Sequence, residues 1–256
     1  MDERKKAIGF FDSGIGGLSV LKEAIRLLPS EDFIYFGDSI NAPYGTRPVD
    51  EVKELTFKAV DFLIAKGVKA IVIACNTATS AAIDDLRSKY SPMSIIGIEP
   101  AVKPAVELRK PGKILIMATP MTLAEAKFNT LLKSYESEAD IVPVPCAGLA
   151  EIVEEGNLSG EVVNCYLKDK LAPFINEPIS SVVLGCTHYP FVKGEIVSIL
   201  KEDITIIDGS LGTAKQLKRK LASSRLLNEA AHKGTVTIIN SLNSEDILKL
   251  SYKLLT

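Results

Sequence analysis

The sequence contains no tryptophan and only two histidines, His188 and His232, in 256 residues. That supply leaves few imidazole ligands for a metal, and none of the four cysteines (75, 146, 165 and 186) forms a Cys-x-x-Cys pair. No metal site is expected. Nor do four cysteines in a chain of this size read as a disulfide framework. An excess of either charge is also missing: 30 Lys and Arg stand against 32 Asp and Glu, a formal net charge of -2. This balance gives no electrostatic reason to expect nucleic acid or an anionic membrane as a partner. No apolar run approaches the ~18 residues that a membrane span needs. The start, Met1-Asp-Glu-Arg-Lys-Lys6, runs into a strand-like segment without the apolar core of a signal peptide. A cytoplasmic location is expected. Thiol chemistry survives these exclusions.

With 46% hydrophobic and 24% charged residues, the composition is that of a globular chain, enough for one large domain or two small ones. Short β-rich apolar runs alternate with helical patterns throughout. The expected strands are Ala7–Phe11, Phe33–Phe36, Ala70–Ala74, Ser94–Ile98, Lys113–Ala118, Ile141–Val144, Ser181–Leu184, Ile204–Ile207 and Thr235–Ile239. Continuous runs such as Ile71-Val72-Ile73 suit strands covered on both faces. Leu18, Leu21, Ile25 and Leu28 form one helical stripe, ended by Pro29, and Val52, Leu55, Ala59 and Leu63 form another, closed by Gly67. Thr119-Pro120 and His188-Tyr189-Pro190 both resemble helix starts. Such alternation predicts an α/β fold with mostly parallel sheets.

A repeat is also visible. Ile8–Asp12 followed by a helix resembles Ile114–Thr119 followed by a helix, and Ala70–Thr77 resembles Ser181–His188. Thr119 follows Asp12 by 107 residues, and Cys186 follows Cys75 by 111. Chance likeness among βα units is the alternative. If the repeat is real, two similar three-layer domains related by a pseudo-two-fold axis are expected, one from 1–98 plus 208–256 and one from 99–207. They would cross near Ile98-Glu99-Pro100 and Ile207-Asp208-Gly209, with a site in the cleft between them.

Ligands of open α/β sheets bind beyond the carboxyl ends of the strands. There the sequence puts Asp12-Ser13, Cys75-Asn76-Thr77, Thr119 and Cys186-Thr187-His188. Two cysteines in equivalent positions would face each other across one cleft. Each lies at a strand-to-helix junction, where free backbone N–H groups are expected to favour thiolate. A thiolate and a thiol on opposite sides of a carbon form a base and an acid, the pair that inverts a stereocentre. A buried cysteine is more often small, apolar and inert, and that is the expectation for Cys146 and Cys165. Asp12-Ser-Gly-Ile-Gly-Gly17 matches neither phosphate-loop pattern. Asp12 suits an ammonium group or the support of a thiol, and a tight turn with glycine at positive φ is compatible with both. His188 either protonates or orients the Cys186 thiol or the ligand, or simply starts a helix. Ser13, Asn76, Thr77, Thr119 and Thr187 offer the donors that hold a carboxylate without arginine. The segment Asn41–Gly45 reads as a lid over the cleft or as an ordinary surface loop.

Taken together, Phe10-Phe-Asp-Ser-Gly-Ile-Gly-Gly17, Tyr35-Phe-Gly-Asp-Ser39, Pro43-Tyr-Gly45, Ala74-Cys-Asn-Thr-Ala-Thr79, Gly97-Ile-Glu-Pro100 and Leu184-Gly-Cys-Thr-His-Tyr-Pro190 resemble the cofactor-independent glutamate racemases of the aspartate/glutamate racemase superfamily. The resemblance covers nearly the whole chain. It implies a two-domain α/β fold, no pyridoxal phosphate or other cofactor, and interconversion of L- and D-glutamate for peptidoglycan. It makes Cys75 and Cys186 the acid/base pair, with Asp12, His188 and Glu151 in support. Ser13, Tyr44, Gly45, Asn76, Thr77, Thr119, Thr187 and His188 would line the substrate site together with Asp12. A homodimer is the expected assembly. Met121 and Glu125 depart from the family pattern, which reads Ala-Thr-x-Gly-Thr where this chain has Ala118-Thr-Pro-Met-Thr122; the shape of that helix start is therefore open. Without the long amino-terminal extension of some members, no response to a peptidoglycan-precursor activator is expected. A racemase or isomerase acting on aspartate or another acid is the alternative. From another class comes a two-domain binding protein with inert cysteines.

Overall fold

The computed structural model describes residues 2–200 and 204–256; Met1 and residues 201–203, which fall within the expected domain spans, lie outside the described residues. In chain order the strands are β1 (Ile8–Asp12), β2 (Phe33–Gly37), β3 (Ala70–Ile73), β4 (Ser94–Gly97), β5 (Lys113–Ala118), β6 (Ile141–Pro145), β7 (Ile179–Leu184), β8 (Thr205–Asp208) and β9 (Val236–Asn240). Each expected strand is present within about two residues of its expected ends. The helices are α1 (Leu18–Leu27), α2 (Val49–Ala65), α3 (Asn76–Lys89), α4 (Val102–Glu107), α5 (Pro120–Ala124), α6 (Ala126–Lys133), α7 (Leu149–Glu154), α8 (Glu161–Leu171), α9 (Lys193–Leu200), α10 (Ser210–Ser223) and α11 (Glu245–Leu255). Among the described residues, no helix is long and apolar enough to cross a membrane.

The strands form two sheets, β4-β3-β1-β2-β9 and β6-β5-β7-β8. Every pairing is parallel, so this is an α/β fold. Read from β8, the second sheet has the strand order of the first, with β9 added to the first sheet's edge. The pleat sends alternate side chains to opposite faces. In the first sheet, Ile8, Phe10, Ala70 and Val72 enter one core, while Phe11, Ile71 and Ile73 enter another. In the second, Leu115, Met117, Val182 and Leu184 face one core, and Ile114, Ile116 and Val183 the other. Helices cover both faces, which explains the unbroken apolar runs. β6 carries Pro143 and Pro145 and lies at an edge, where a missing N–H is tolerated.

Of the expected stripes, α1 buries Leu18 and Leu21 with Ile25 half-buried and Leu28 buried just past its end, α2 buries Val52, Ala59 and Leu63 with Leu55 half-buried, and α2 stops where Gly67 turns to φ +77°. α10 and α11 return to the first sheet, setting Ala214, Leu217, Leu221 and Leu254 in its core. The chain segments at Glu99 and Gly209 approach closely: a Cβ on Gly209 would stand 2.7 Å from the carbonyl oxygen of Glu99.

Candidate active site

The thiol of Cys75 is held where β3 gives way to α3. Cys75 caps α3 in an extended conformation, and its Sγ accepts the Ala78 N–H at 3.4 Å. Its S–H donates to Ser13 Oγ at 3.6 Å, just past β1, the strand beside β3. Burial, and after it the charge of Asp12, push this thiol up to about 12, while the helix N–H and Ser13 pull only weakly the other way. The expectation that the helix start favours thiolate is thus corrected for Cys75: desolvation outweighs the helix end.

Cys186 is set differently. β7 ends at Leu184, and the helical turn after Cys186 starts only at Tyr189, a 3₁₀ turn capped by His188 and leading into α9. Cys186 Sγ lies 3.6 Å from His188 Nδ1. On the far side of the ring, His188 Nε2 meets Glu154 Oε1 at 2.5 Å. Glu154, the last residue of α7, also accepts the Ile15 N–H at 2.6 Å and the Ser39 hydroxyl at 3.2 Å. Burial disfavours charge on His188, but its bonds to Cys186 and Glu154 and their charges raise it well above the ordinary 6.5. Burial likewise disfavours charge on Glu154, yet His188, the Ile15 N–H and Ser39 lower its carboxyl below the ordinary 4.5. A buried imidazolium–carboxylate pair therefore backs the Cys186 thiol. The sequence pointed to Glu151. That residue lines the cavity, and the carboxylate bonded to His188 sits three residues on, the spacing that shares one face of a helix.

Between the two thiols lies a buried seam. Asp12 Oδ1 accepts the Gly14 N–H at 2.9 Å, and Oδ2 accepts the Thr187 hydroxyl at 2.9 Å. Burial raises the Asp12 carboxyl above its usual range, opposed mainly by the charge of His188. Gly14, Gly16 and Gly17 do not take the positive φ expected of a tight turn. They are required by close approach: a Cβ on Gly14 would strike the Glu154 carboxylate, one on Gly16 the His188 ring, and one on Gly17 would stand 2.7 Å from Asp12 Cβ.

Both thiols open on one cavity of about 260 Å³, whose lining includes Ser13, Tyr44, Gly45, Cys75, Asn76, Thr77, Thr119, Cys146, Glu151, Glu154, Cys186, Thr187 and His188. Of the expected site residues only Asp12 is absent from its wall; it is fully buried behind it. Among the described residues, no lysine or arginine lines the cavity. Asn76 Oδ1 is buried without a hydrogen-bond partner. Thr77 and Thr119 hydroxyls meet at 3.2 Å, and Thr119 caps α5 by accepting the Thr122 N–H. That helix start is intact despite Met121, which packs into the first sheet's core, and Glu125, which follows the helix as its C-cap. Tyr44 is buried and donates to Asp38 at 2.7 Å. Cys146 is buried as expected, with its thiol pushed up to about 12 by burial. Cys165 is exposed on α8, because the apolar stripe of that helix runs through Val163, Leu167 and Leu171 instead. Among the described residues, no three His, Cys, Asp or Glu side chains group as a metal site.

A glutamate racemase of Clostridium novyi is 64% identical over 256 residues, covering 100% of this chain and 99% of that protein. The structure of glutamate racemase from Francisella tularensis in complex with D-glutamate superposes with a TM-score of 0.84 at 31% identity, over 98% of this chain and 94% of that one. That of Escherichia coli glutamate racemase in complex with L-glutamate and the activator UDP-MurNAc-Ala does so with 0.85 at 28% identity, over 97% and 95%. The sequence model of the Asp/Glu/Hydantoin racemase family matches residues 16–217. The thiols of Cys75 and Cys186 on one cavity and these likenesses along the whole chain lead to one conclusion: the chain belongs to the Asp/Glu/Hydantoin racemase family.

Proposed function

We propose that this protein interconverts L- and D-glutamate by proton transfer between two cysteines, Cys75 and Cys186, and so supplies D-glutamate to peptidoglycan synthesis. One observation carries the reading: Cys75, which follows the first sheet, and Cys186, which follows the second, line a single cavity and lie within electrostatic reach of each other, whereas Cys146, also on that cavity, follows the same sheet as Cys186. A thiolate on one side takes the α-proton, and the pair of electrons it leaves takes a proton from the thiol on the other side. The product is inverted, the two sulfurs have exchanged protonation states, and the reverse reaction uses the same pair.

The surroundings give each sulfur a part. Cys75, held as a thiol by burial and Asp12, is the resting acid. Cys186, beside the His188–Glu154 pair, is its counterpart on the other wall. Asp12 acts from behind the wall, while His188, Glu154 and, from the same helix, Glu151 line the cavity. The N–H groups at the start of α3, with the hydroxyls of Ser13, Thr77, Thr119 and Thr187, receive the carboxylates. The unpartnered Asn76 Oδ1 accepts from the ammonium group. Complexes of Francisella tularensis and Escherichia coli glutamate racemases with the two glutamate enantiomers support the choice of substrate. The common strand order of the two sheets supports two domains related by a pseudo-two-fold axis, 1–98 with 208–256 and 99–207.

In deuterium oxide, L-glutamate should gain deuterium at its α-carbon while losing optical rotation. Each of Cys75→Ser and Cys186→Ser should abolish racemisation. Unchanged turnover in the Cys75→Ala, Cys186→Ala double variant would overturn the mechanism, and exchange into aspartate but not glutamate would overturn the substrate.

A further inference from the structure

Thr187 is the peptide between the two groups that matter most on the second wall, Cys186 and His188. It is 3% exposed and is gripped twice from the first sheet's side. Its hydroxyl bonds Asp12, and its backbone carbonyl accepts from Ser19 Oγ at 3.0 Å, across 168 residues of sequence. Ser19 lies in the first turn of α1, itself buried, and its one hydroxyl proton is shared with the Gly16 carbonyl at 2.9 Å. Gly16 is the residue whose missing Cβ leaves room for the His188 ring. One hydroxyl thus fixes two backbone segments: the turn that presses on His188, and the peptide that joins Thr187 to His188, one residue past Cys186.

We propose that Ser19 is a positioning residue for the Cys186–His188 arm, holding the plane of the Thr187–His188 peptide so that His188 Nδ1 keeps its place beside Cys186 Sγ on the cavity wall. The inference rests on the two-thiol reading above. A buried carbonyl that loses its donor turns to find another. Turning the Thr187 carbonyl rotates the Thr187–His188 peptide, which carries the imidazole at its far end and so shifts that ring against the Cys186 sulfur one residue before. Proton transfer is sensitive to such errors, since a displacement of about 1 Å can cost on the order of 10²-fold in rate. A purely local role is the competing explanation, because a serine in a first helical turn often bonds a nearby carbonyl of its own chain. That role would affect the helix without favouring one wall of the cavity.

The two roles separate in the full-length protein by kinetics with α-protiated and α-deuterated L- and D-glutamate. In Ser19→Ala, kcat should fall about ten- to a hundredfold with KM changed by less than about threefold. The substrate isotope effect should rise in the direction in which Cys186 removes the α-proton. It should fall in the other direction, where Cys186 delivers the second proton instead. Ser19→Thr, which keeps the hydroxyl, should restore kcat and the original isotope effects. A Ser19→Ala enzyme with kcat within twofold of wild type, or with equal changes of isotope effect in both directions, overturns the proposal. Should Ser19→Ala not fold, Ser19→Cys, a weak donor of similar size, must show the same asymmetry, and its behaving as wild type overturns the proposal equally. If the wild-type protein exchanges no α-proton of glutamate, the two-thiol reading fails, a result distinct from a symmetric Ser19→Ala.

Discussion

His188 Nε2 stands 2.5 Å from Glu154 Oε1, although the residues are 34 apart in sequence and one ends a helix while the other precedes a turn. Burial works against charge on each, and each provides the counter-charge that overcomes it. The pair sets a ring of raised proton affinity beside the Cys186 sulfur, on a cavity that no lysine or arginine lines among the described residues.

This pair sets a pH dependence. His188 is raised in the folded state, so its contribution to stability is complete below its ordinary 6.5 and is lost as pH rises through the raised value. Glu154 is lowered, so its contribution is present above its ordinary 4.5 and is lost as pH falls through the lowered value. Glu154→Gln removes the counter-charge. The His188 titration followed by NMR, and the alkaline limb of kcat with it, should both move to lower pH. An unmoved limb would show that Glu154 does not govern the charge of His188.

The two thiols should also differ in reactivity. With Cys75 pushed up to about 12 by burial and Asp12, its alkylation in the free protein should be slow at neutral pH and still climbing above pH 9. Asp12→Asn deletes a negative charge that holds the thiol protonated, and should speed alkylation of Cys75 at pH 8. Mass spectrometry of the labelled peptides reads each site separately. Fast, pH-independent labelling of Cys75 would refute this account of its environment.

Close approach at the glycine-rich turn gives a steric prediction. A Cβ on Gly16 would overlap the His188 ring, so Gly16→Ala must displace either α1 or the imidazole. A loss of about 10²-fold in kcat is expected, with destabilisation of about 1–3 kcal/mol from overpacking. Steady-state kinetics and thermal unfolding report the two effects. Full activity would mean that the turn yields without moving His188.

Far from the cavity, Lys69 and Glu31 form an ion pair in which each side chain is 1% exposed. Lys69 also donates to the Arg4 carbonyl at 2.5 Å, and Glu31 accepts the Asn228 N–H at 2.8 Å, tying the amino terminus and the returning chain before β9 to the amino end of the first sheet. Lys69→Met leaves Glu31 buried and unpaired, and should cost about 3–5 kcal/mol in urea unfolding. Lys69→Met with Glu31→Leu should recover much of that loss, because both charges go together. Equal destabilisation by the single and double variants would contradict this.

The strands were legible because their physics is local. An apolar run such as Ile71-Val72-Ile73 is buried on both faces whichever strands flank it, and Pro29 and Gly67 stop helices by backbone chemistry alone. Cys75 and Cys186 were legible for a related reason: a strand end in a parallel sheet points its next residues at the ligand side. Glu154 was not. Nothing in Ala150-Glu-Ile-Val-Glu154 tells which of two carboxylates on one helical face reaches an imidazole 34 residues away. Nor did the order of residues show that Cys165 would be exposed, or that Gly14 and Gly16 are needed for what approaches them rather than for their own φ.

By itself the chain's order of residues determined the α/β alternation, the duplicated strand ends and the two sulfurs, since hydrophobic period and turn chemistry act over a few residues. Only the tertiary structure decided the charge on each wall. Desolvation of Cys75, the His188–Glu154 pair and the grip of Ser19 and Asp12 on Thr187 all depend on groups brought together from distant segments, and a proton's affinity for a site follows what surrounds that site in space.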